Sequence, residues 1–494
     1  MGNAMKTTKI YRTIDCYALD QVAEDAGVCG FQLMENAGNG MGRIIMARFA
    51  PKNACIVCGP GANGGDGYVV AKYLFEQGCA VSLLSLSPPN PNTVAAQMEA
   101  RLPAGVQREV KTIPTDCEII IDCMFGAGLD RPIIARPAVL IEQVNAHPAP
   151  VIAADLPSGI NGDRAQPGTP SIIAAMTITF EVLKLAHVLE PARSQCGEIV
   201  VIDIGFPAGT IDQVEPIAVQ NHPSLWPQIP VIPDMLSHKH NRGRLLVDCG
   251  GPLQSGAARL AARAGLRIGA GWVTLCGTED AMQVCANHET SIVLSVRQQG
   301  EPIAEVMRSQ TPDCVLLGPA GGVGEAMKRQ VLDLLQTGTA TVLDADALTS
   351  FAEHPQDLLE ACHAKTVLLP HEGEFRRLFA DLTTKTGNKI SRVKAAAQRA
   401  GCTVLLKGAD SVMADADGRV VVNTHTSSWL ATLGTGDVLA GMVAGLMAQG
   451  QGGFDALCAA VWLHGELGRQ LGAGLIAEDL PGAIPAMLQQ FRGD

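Results

Sequence analysis

Residues 431–441 read ATLGTGDVLAG. Beyond them Val438, Leu439, Met442, Val443, Leu446 and Met447 recur at helical spacing, and Gly450 stands where helices often end. The spacing predicts a glycine turn over 434–437 that feeds the N-terminus of an apolar helix. Unpaired N–H groups and the positive end of the helix dipole make such a turn a seat for phosphate. Asp437 then poses a question, because a carboxylate repels phosphate. Locally it reads as a helix cap, a role Asp fills well. The chemical alternative is a base beside a phosphoryl group held by glycine N–H groups.

At about 150 residues per domain, a chain of this length fits two to four domains. The 494 residues are 47% hydrophobic with 53 Gly and only 4% aromatic, a composition that suits α/β domains and excludes disorder. The formal charge of −12 argues against a nucleic-acid or anionic-membrane partner. A phosphate ligand would therefore rest on backbone N–H groups, local Lys and a metal. The 15 Cys are scattered singly in apolar segments, as reduced cysteines of a cytoplasmic protein are. Cys55 and Cys58 fall in one strand and face opposite sides, so they form no redox or zinc pair. No signal peptide or membrane-length apolar run is present. The opening MGNAM is set aside as a leader.

Residues 13–50 read as two helices. Strands are predicted at 54–58, 79–86, 118–125, 151–156, 178–180 and 199–204, separated by helix-length segments. That alternation implies a doubly wound parallel sheet, with ligands outside the carboxyl ends of its strands. A Pro-rich stretch, about 206–237, reads as a linker. A second alternation follows, with strands at 244–248, 271–276, 314–318, 340–348, 365–370, 403–408 and 420–423. The chain divides into two α/β domains, 1–218 and 226–494.

Three loops follow strands in the first half: GPGANGGDG (59–67), FGAGLDRP (125–132) and DLPSGING (155–162). They bring Asn63, Asp66, Asp122, Asp155 and Ser158 to one rim. Singly these are turn residues; together their oxygens suit a hard cation. The segments GPGANGGDGYVVAK, IIIDCMFGAGLDRP and VIAADLPSGINGD resemble the N-terminal epimerase domain of the bifunctional NAD(P)H-hydrate repair enzymes. The resemblance implies a Rossmann-like domain with K+ on Asn63, Asp122 and Ser158, and Asp155 as general acid/base. It implies cofactor contacts from Ala62, Asn63, Gly64, Gly65 and Asp66, and from Gly126, Ala127, Gly128, Leu129, Asp130, Arg131 and Pro132. Ala62 replaces the first of two Asn usual in the family.

In the second half VLDADAL (342–348), VLLPHEGEFRRLF (367–379), LLKGAD (405–410) and the 431–450 segment resemble the ribokinase-like dehydratase domain of the same family. The resemblance implies an anion hole from Gly434, Thr435 and Gly436, with Asp437 as base. It implies Lys407, Gly408, Ala409 and Asp410 on ADP, Ala257 among the cofactor contacts, and His371 near the hydrated nicotinamide. ADP and Mg2+ are the implied co-reactants. Three departures stand out: GPAGGVG (318–324) for GPGLG, Leu433 for Gly, and Glu372 for Pro. Glu372 and Glu374 also read as acidic residues of a helix first turn, and Asp344 and Asp346 as a strand-end turn. HKHNRGR (238–244) reads as a solvated charge run.

The resulting expectation is repair of hydrated nicotinamide cofactors, NADHX and NADPHX. The first domain interconverts the R and S forms, and the second dehydrates the S form at the expense of ADP, giving AMP and phosphate. The family resemblance also implies a homo-oligomer. Two other readings are an ATP-dependent kinase of a small alcohol and a first domain that only binds a dinucleotide. The kinase reading leaves the first domain without a task.

Overall fold

The computed structural model describes residues 9–491 except 109, 230–236, 240, 299 and 386. The leader 1–5, residues 230–236 of the Pro-rich stretch and His240 of the charge run lie outside the described residues. The chain forms two compact units, with the boundary between Ile217 and Ala218.

The first unit carries a six-stranded, wholly parallel sheet in the order 198–202, 176–180, 151–154, 119–123, 53–58 and 80–85. Its inner strands are short apolar runs buried on both faces, as parallel strands between helix layers must be, while the edge strand 198–202 is partly exposed. Ile56 and Cys58 pack with the helices Gly30–Arg48 and Ala62–Glu76 on one face. Cys55 and Val57 pack with the helix Ala135–Ala146 on the other. Strand order reverses between Asn53–Cys58 and Ile119–Cys123, opening a crevice beyond their carboxyl ends where such sheets bind ligands.

The second unit carries ten strands in the order 293–296, 272–277, 244–248, 314–317, 340–343, 366–368, 403–406, 411–414, 420–423 and 218–220. Pairing is parallel as far as 403–406, then antiparallel through 411–414 to 420–423. The helices Ser255–Arg267, Thr435–Ala448 and Gly453–Leu471 build the core on one face.

Two expectations are corrected. Residues 340–348 are not one strand: Ala340–Leu343 ends and Asp346–Thr349 is helical. The Pro-rich stretch is not linker throughout, because Ala218–Gln220 pairs with Val420–Asn423 and Trp226 is buried. Asn221 donates to Asn423 Oδ1 and to the Cys458 carbonyl. Proline breaks periodicity in the sequence, yet a short strand and a buried indole need no periodicity to be held.

Candidate active sites

Asp155 follows the strand Val151–Ala154 with a left-handed backbone, φ 63°. A non-glycine residue held there costs energy, and such residues gather at functional sites. Its Oδ1 lies 2.7 Å from Lys184 Nζ and accepts Thr179 Oγ1–H at 3.0 Å, while Oδ2 accepts Ala127 N–H at 3.2 Å. Lys184 is buried at 6% exposure and Asp155 largely buried at 14%. Burial would raise the Asp155 carboxyl, but the Lys184 charge and hydrogen bond outweigh it and hold the group below its ordinary value. His187 Nδ1 accepts Lys184 N–H at 3.0 Å, so Nε2–H donates to the Asp155 carbonyl at 2.7 Å. Burial pushes this imidazole down to about 4, which keeps it neutral.

Asp155 and Lys184 line a cavity of about 730 Å³ at the strand-end crevice. Ala62, Asn63, Asp66 and Gly126–Arg131 line it too, so the cavity unites most of the predicted set. Gly64, Gly65 and Pro132 are not on its wall. A β-carbon on Gly64 would fall 1.9 Å from the Gly59 carbonyl, and one on Gly65 2.5 Å from Met34 Sδ. These two glycines let the Ala62–Glu76 helix pack against its neighbours. Asp66 is 7% exposed, and among the described residues its carboxylate has no hydrogen-bond or ion-pair partner. Burial, then the charges of Asp155 and Asp20, push it well above its ordinary value.

Asp122 and Ser158 are fully buried and joined. Ser158 Oγ–H and N–H donate to Asp122 Oδ1 and Oδ2, each at 2.7 Å, and the Phe125 carbonyl lies 3.2 Å from Ser158 Oγ. Ser158 is thus not a mere cap. Asn63 stands on the same rim: its Oδ1 and Asp155 Oδ2 each lie 3.3 Å from where a Gly126 β-carbon would sit. Among the described residues no three His, Cys, Asp or Glu side chains cluster as metal ligands. The set at Asp122 is instead one carboxylate, one hydroxyl, one carbonyl and a nearby amide. One negative charge among hard oxygens fits a monovalent cation.

In the second unit Gly434, φ 91°, caps the helix Thr435–Ala448. Val438 N–H is the first to bond back, to Gly434 O, and among the described residues nothing accepts from the N–H groups of Thr435, Gly436 and Asp437. The Asp437 carboxylate caps none of them and has no partner among the described residues. Burial, then the Asp344 charge, push it up to about 6, with Lys407 acting the other way. Lys407 Nζ pairs with buried Asp344 at 2.7 Å, and Lys407 N–H donates to Pro370 O at 3.0 Å.

That contact sets His371 beside Lys407. His371 caps the helix Glu372–Leu378: its Nδ1 accepts Gly373 N–H at 2.9 Å and its N–H donates to Glu374 Oε2 at 2.8 Å. Glu374 is therefore half of a capping box. Glu372 pairs with Arg392 at 2.8 Å. Asp346 accepts Gly322 N–H at 2.9 Å, tying down the 318–324 loop. Gly408 and Ala409 are exposed beside Asp410, which pairs with Lys389 at 2.6 Å.

A β-carbon on Gly441 would fall 2.1 Å from Ala261 O, and one on Gly445 2.7 Å from Gly265 O. Contacts advancing together mean that the helices Ser255–Arg267 and Thr435–Ala448 run parallel. Ala257 and Gly434 therefore share one end of the pair. Sequence reading missed Lys184, Thr179 and His187. The signal available was a lysine and a histidine three apart in the apolar run VLKLAHVL.

Each α/β unit thus sets a carboxylate at the strand-end or helix-start rim where such folds do chemistry, which makes this a two-site α/β enzyme. Residues 30–186 match the family described as YjeF-related protein N-terminus, and residues 245–489 the family described as NAD(P)H-hydrate dehydratase. The bifunctional NAD(P)H-hydrate repair enzyme of Thermofilum pendens is 31% identical over 98% of this chain and 97% of its own. That of Salinibacter ruber is 32% identical over 95% and 94%. A solved ADP/ATP-dependent NAD(P)H-hydrate dehydratase from Bacillus subtilis, co-crystallised with ATP and Mg2+, aligns at 24% identity and a TM-score of 0.48, covering 55% of this chain and 98% of that one. The chain belongs to the family of bifunctional NAD(P)H-hydrate repair enzymes. It is an enzyme of NAD(P)H-hydrate repair with an epimerase and a dehydratase domain. Among the described residues no helix is long and apolar enough to cross a membrane.

Proposed function

We propose that the unit 9–217 interconverts R- and S-NAD(P)HX with Asp155 in proton transfer, and that the unit 218–494 dehydrates the S form with Asp437 as base. The observation that carries the reading is the Asp437 carboxylate, unpartnered beside three free N–H groups at a helix start. A base next to an anion hole is what phosphoryl transfer to a hydroxyl needs. Asp437 takes the proton of the C6 hydroxyl as its oxygen attacks the β-phosphorus of ADP, and AMP leaves. The C6–O bond then breaks, with the ring nitrogen lone pair pushing out phosphate. Loss of a C5 proton restores the double bond and NAD(P)H.

ADP would meet Lys407, Gly408, Ala409 and Asp410, and its phosphates would bring most ligands of Mg2+, which is usually bound through a few carboxylates and substrate oxygens. His371, beside Lys407, would face the nicotinamide. In the first unit Asn63, Asp122 and Ser158 would hold K+, whose charge would complement the electron-rich groups of the bound dinucleotide. A homo-oligomer in the cytoplasm completes the reading; light scattering on the purified chain tests the assembly.

The test is recovery of NADH absorbance from mixed R- and S-NADHX with ADP, ATP or no nucleotide, on the intact protein and on Asp437→Asn. Full recovery with ADP requires both activities. Recovery of only the S fraction would remove the epimerase, and no recovery from folded protein would remove both.

A further inference from the structure

Epimerisation at C6 needs a proton delivered as well as a proton removed. Asp155 is ill suited to do both, since Lys184 at 2.7 Å holds it as a carboxylate. The same cavity wall carries a second carboxyl group in the opposite condition. Asp66 is 7% exposed, lines the cavity, and has no hydrogen-bond or ion-pair partner among the described residues. A buried carboxyl without a partner is costly, and native structures rarely keep one without a use.

The local alternative is helix capping, and the geometry does not support it. Asp66 is the fifth residue of the helix Ala62–Glu76, beyond the N–H groups a cap would satisfy, and no side chain caps that helix start. Packing brings it to the cavity wall. With only hydrogen on Gly64, the first turn sits against the Gly59 carbonyl, and Gly67 lies against Cys58 and Cys123 at the sheet's switch point. Two carboxyl groups whose surroundings drive them apart, one ionised and one protonated, form an acid/base pair.

Resting on the epimerase reading above, we propose that Asp66 is the catalytic acid of the first site, partnered with Asp155 as the base. Protonated Asp66 gives its proton to the C6 hydroxyl, the C6–O bond breaks, and water departs as the ring nitrogen lone pair forms a C6=N1 bond. A water molecule then adds to the other face of C6. The C=N π pair returns to nitrogen, and Asp155 takes the proton of the incoming water. The net change is one proton moved from Asp66 to Asp155, which solvent exchange restores.

The experiment follows R/S exchange of NADHX by chiral chromatography, in water enriched in ¹⁸O, with intact protein, Asp66→Asn, Asp66→Glu and Asp155→Ala. Hydrogen exchange over 53–76 checks that the helix start is retained; replacing an unpartnered buried carboxyl by an amide should not weaken it. The expected result is exchange slowed at least 100-fold in Asp66→Asn, partial exchange in Asp66→Glu, and one solvent oxygen gained per catalysed inversion. Exchange within threefold of the intact protein in Asp66→Asn, with Asp155→Ala inactive, would overturn the acid assignment and leave the epimerase reading standing. Retention of the original oxygen during inversion would overturn it too. Full exchange in Asp155→Ala would remove the parent reading instead.

Discussion

Lys184→Met isolates the charge that holds Asp155 in its working state. The lysine is buried at 6% exposure, the aspartate is largely buried at 14%, and their charges stand 2.7 Å apart. Truncating one partner of such a pair leaves an uncompensated buried charge, which costs about 3–5 kcal/mol. The sign against pH follows from the two states of Asp155. In the intact protein its folded value lies below the unfolded one, so its contribution is present above about pH 4 and lost as pH falls through the folded value. Without Lys184 burial is opposed mainly by the Ala127 and Thr179 hydrogen bonds, and the folded value is expected to rise above the unfolded one. The carboxyl is then penalised above the raised value, and relieved as acid protonates it. The cost of Lys184→Met is thus full near pH 8 and smaller near pH 5. Hydrogen exchange of peptides covering 151–187, at both pH values and against the intact protein, measures it. The double variant Lys184→Met/Asp155→Asn removes both charges and should recover most of the loss. A cost below about 1 kcal/mol, or one equal at both pH values, would refute the argument that Lys184 compensates Asp155.

In the second unit Asp437→Asn should lower dehydration of pure S-NADHX by about 10²–10⁴-fold, read as NADH absorbance, with the fold intact. Because Asp437 sits at about 6, kcat/KM for dehydration should fall as pH drops below that value and the base becomes protonated. Asp344→Asn removes the charge that helps to raise Asp437, so the acid limb of that profile should move to lower pH. Gly434→Ala forces a β-carbon onto φ 91°, 2.9 Å from Ala477 Cβ; it should destabilise the unit by about 1–3 kcal/mol in urea unfolding and weaken ADP binding in calorimetry. With K+ on the proposed site, epimer exchange by the intact protein should run faster in KCl than in NaCl, and Asp122→Ala, which removes the one charge of the oxygen set, should abolish that difference.

The sequence by itself determined what is local and periodic. Runs such as ACIVC and VLLKG, spaced by helix-length segments, declared two α/β domains, the first with a parallel sheet. The Gly434–Gly436 turn before an apolar helix declared a helix start, and the loops at 59–67, 125–132 and 155–162 declared one rim. Tertiary structure decided what depends on distant partners. Whether Asp437 caps its helix or stands free is a matter of side-chain direction, which spacing does not carry. Lys184 lies 29 residues beyond Asp155, and its ammonium reaches the carboxylate only because the chain returns under the sheet rim. The family resemblance gives Gly64 and Gly65 cofactor contacts; that both also serve close packing of the helix start is something only the neighbouring atoms reveal. The charge state of a carboxylate is likewise non-local. Asp66 and Asp155 have the same side chain, and burial with or without a lysine sets them on opposite sides of their ordinary value.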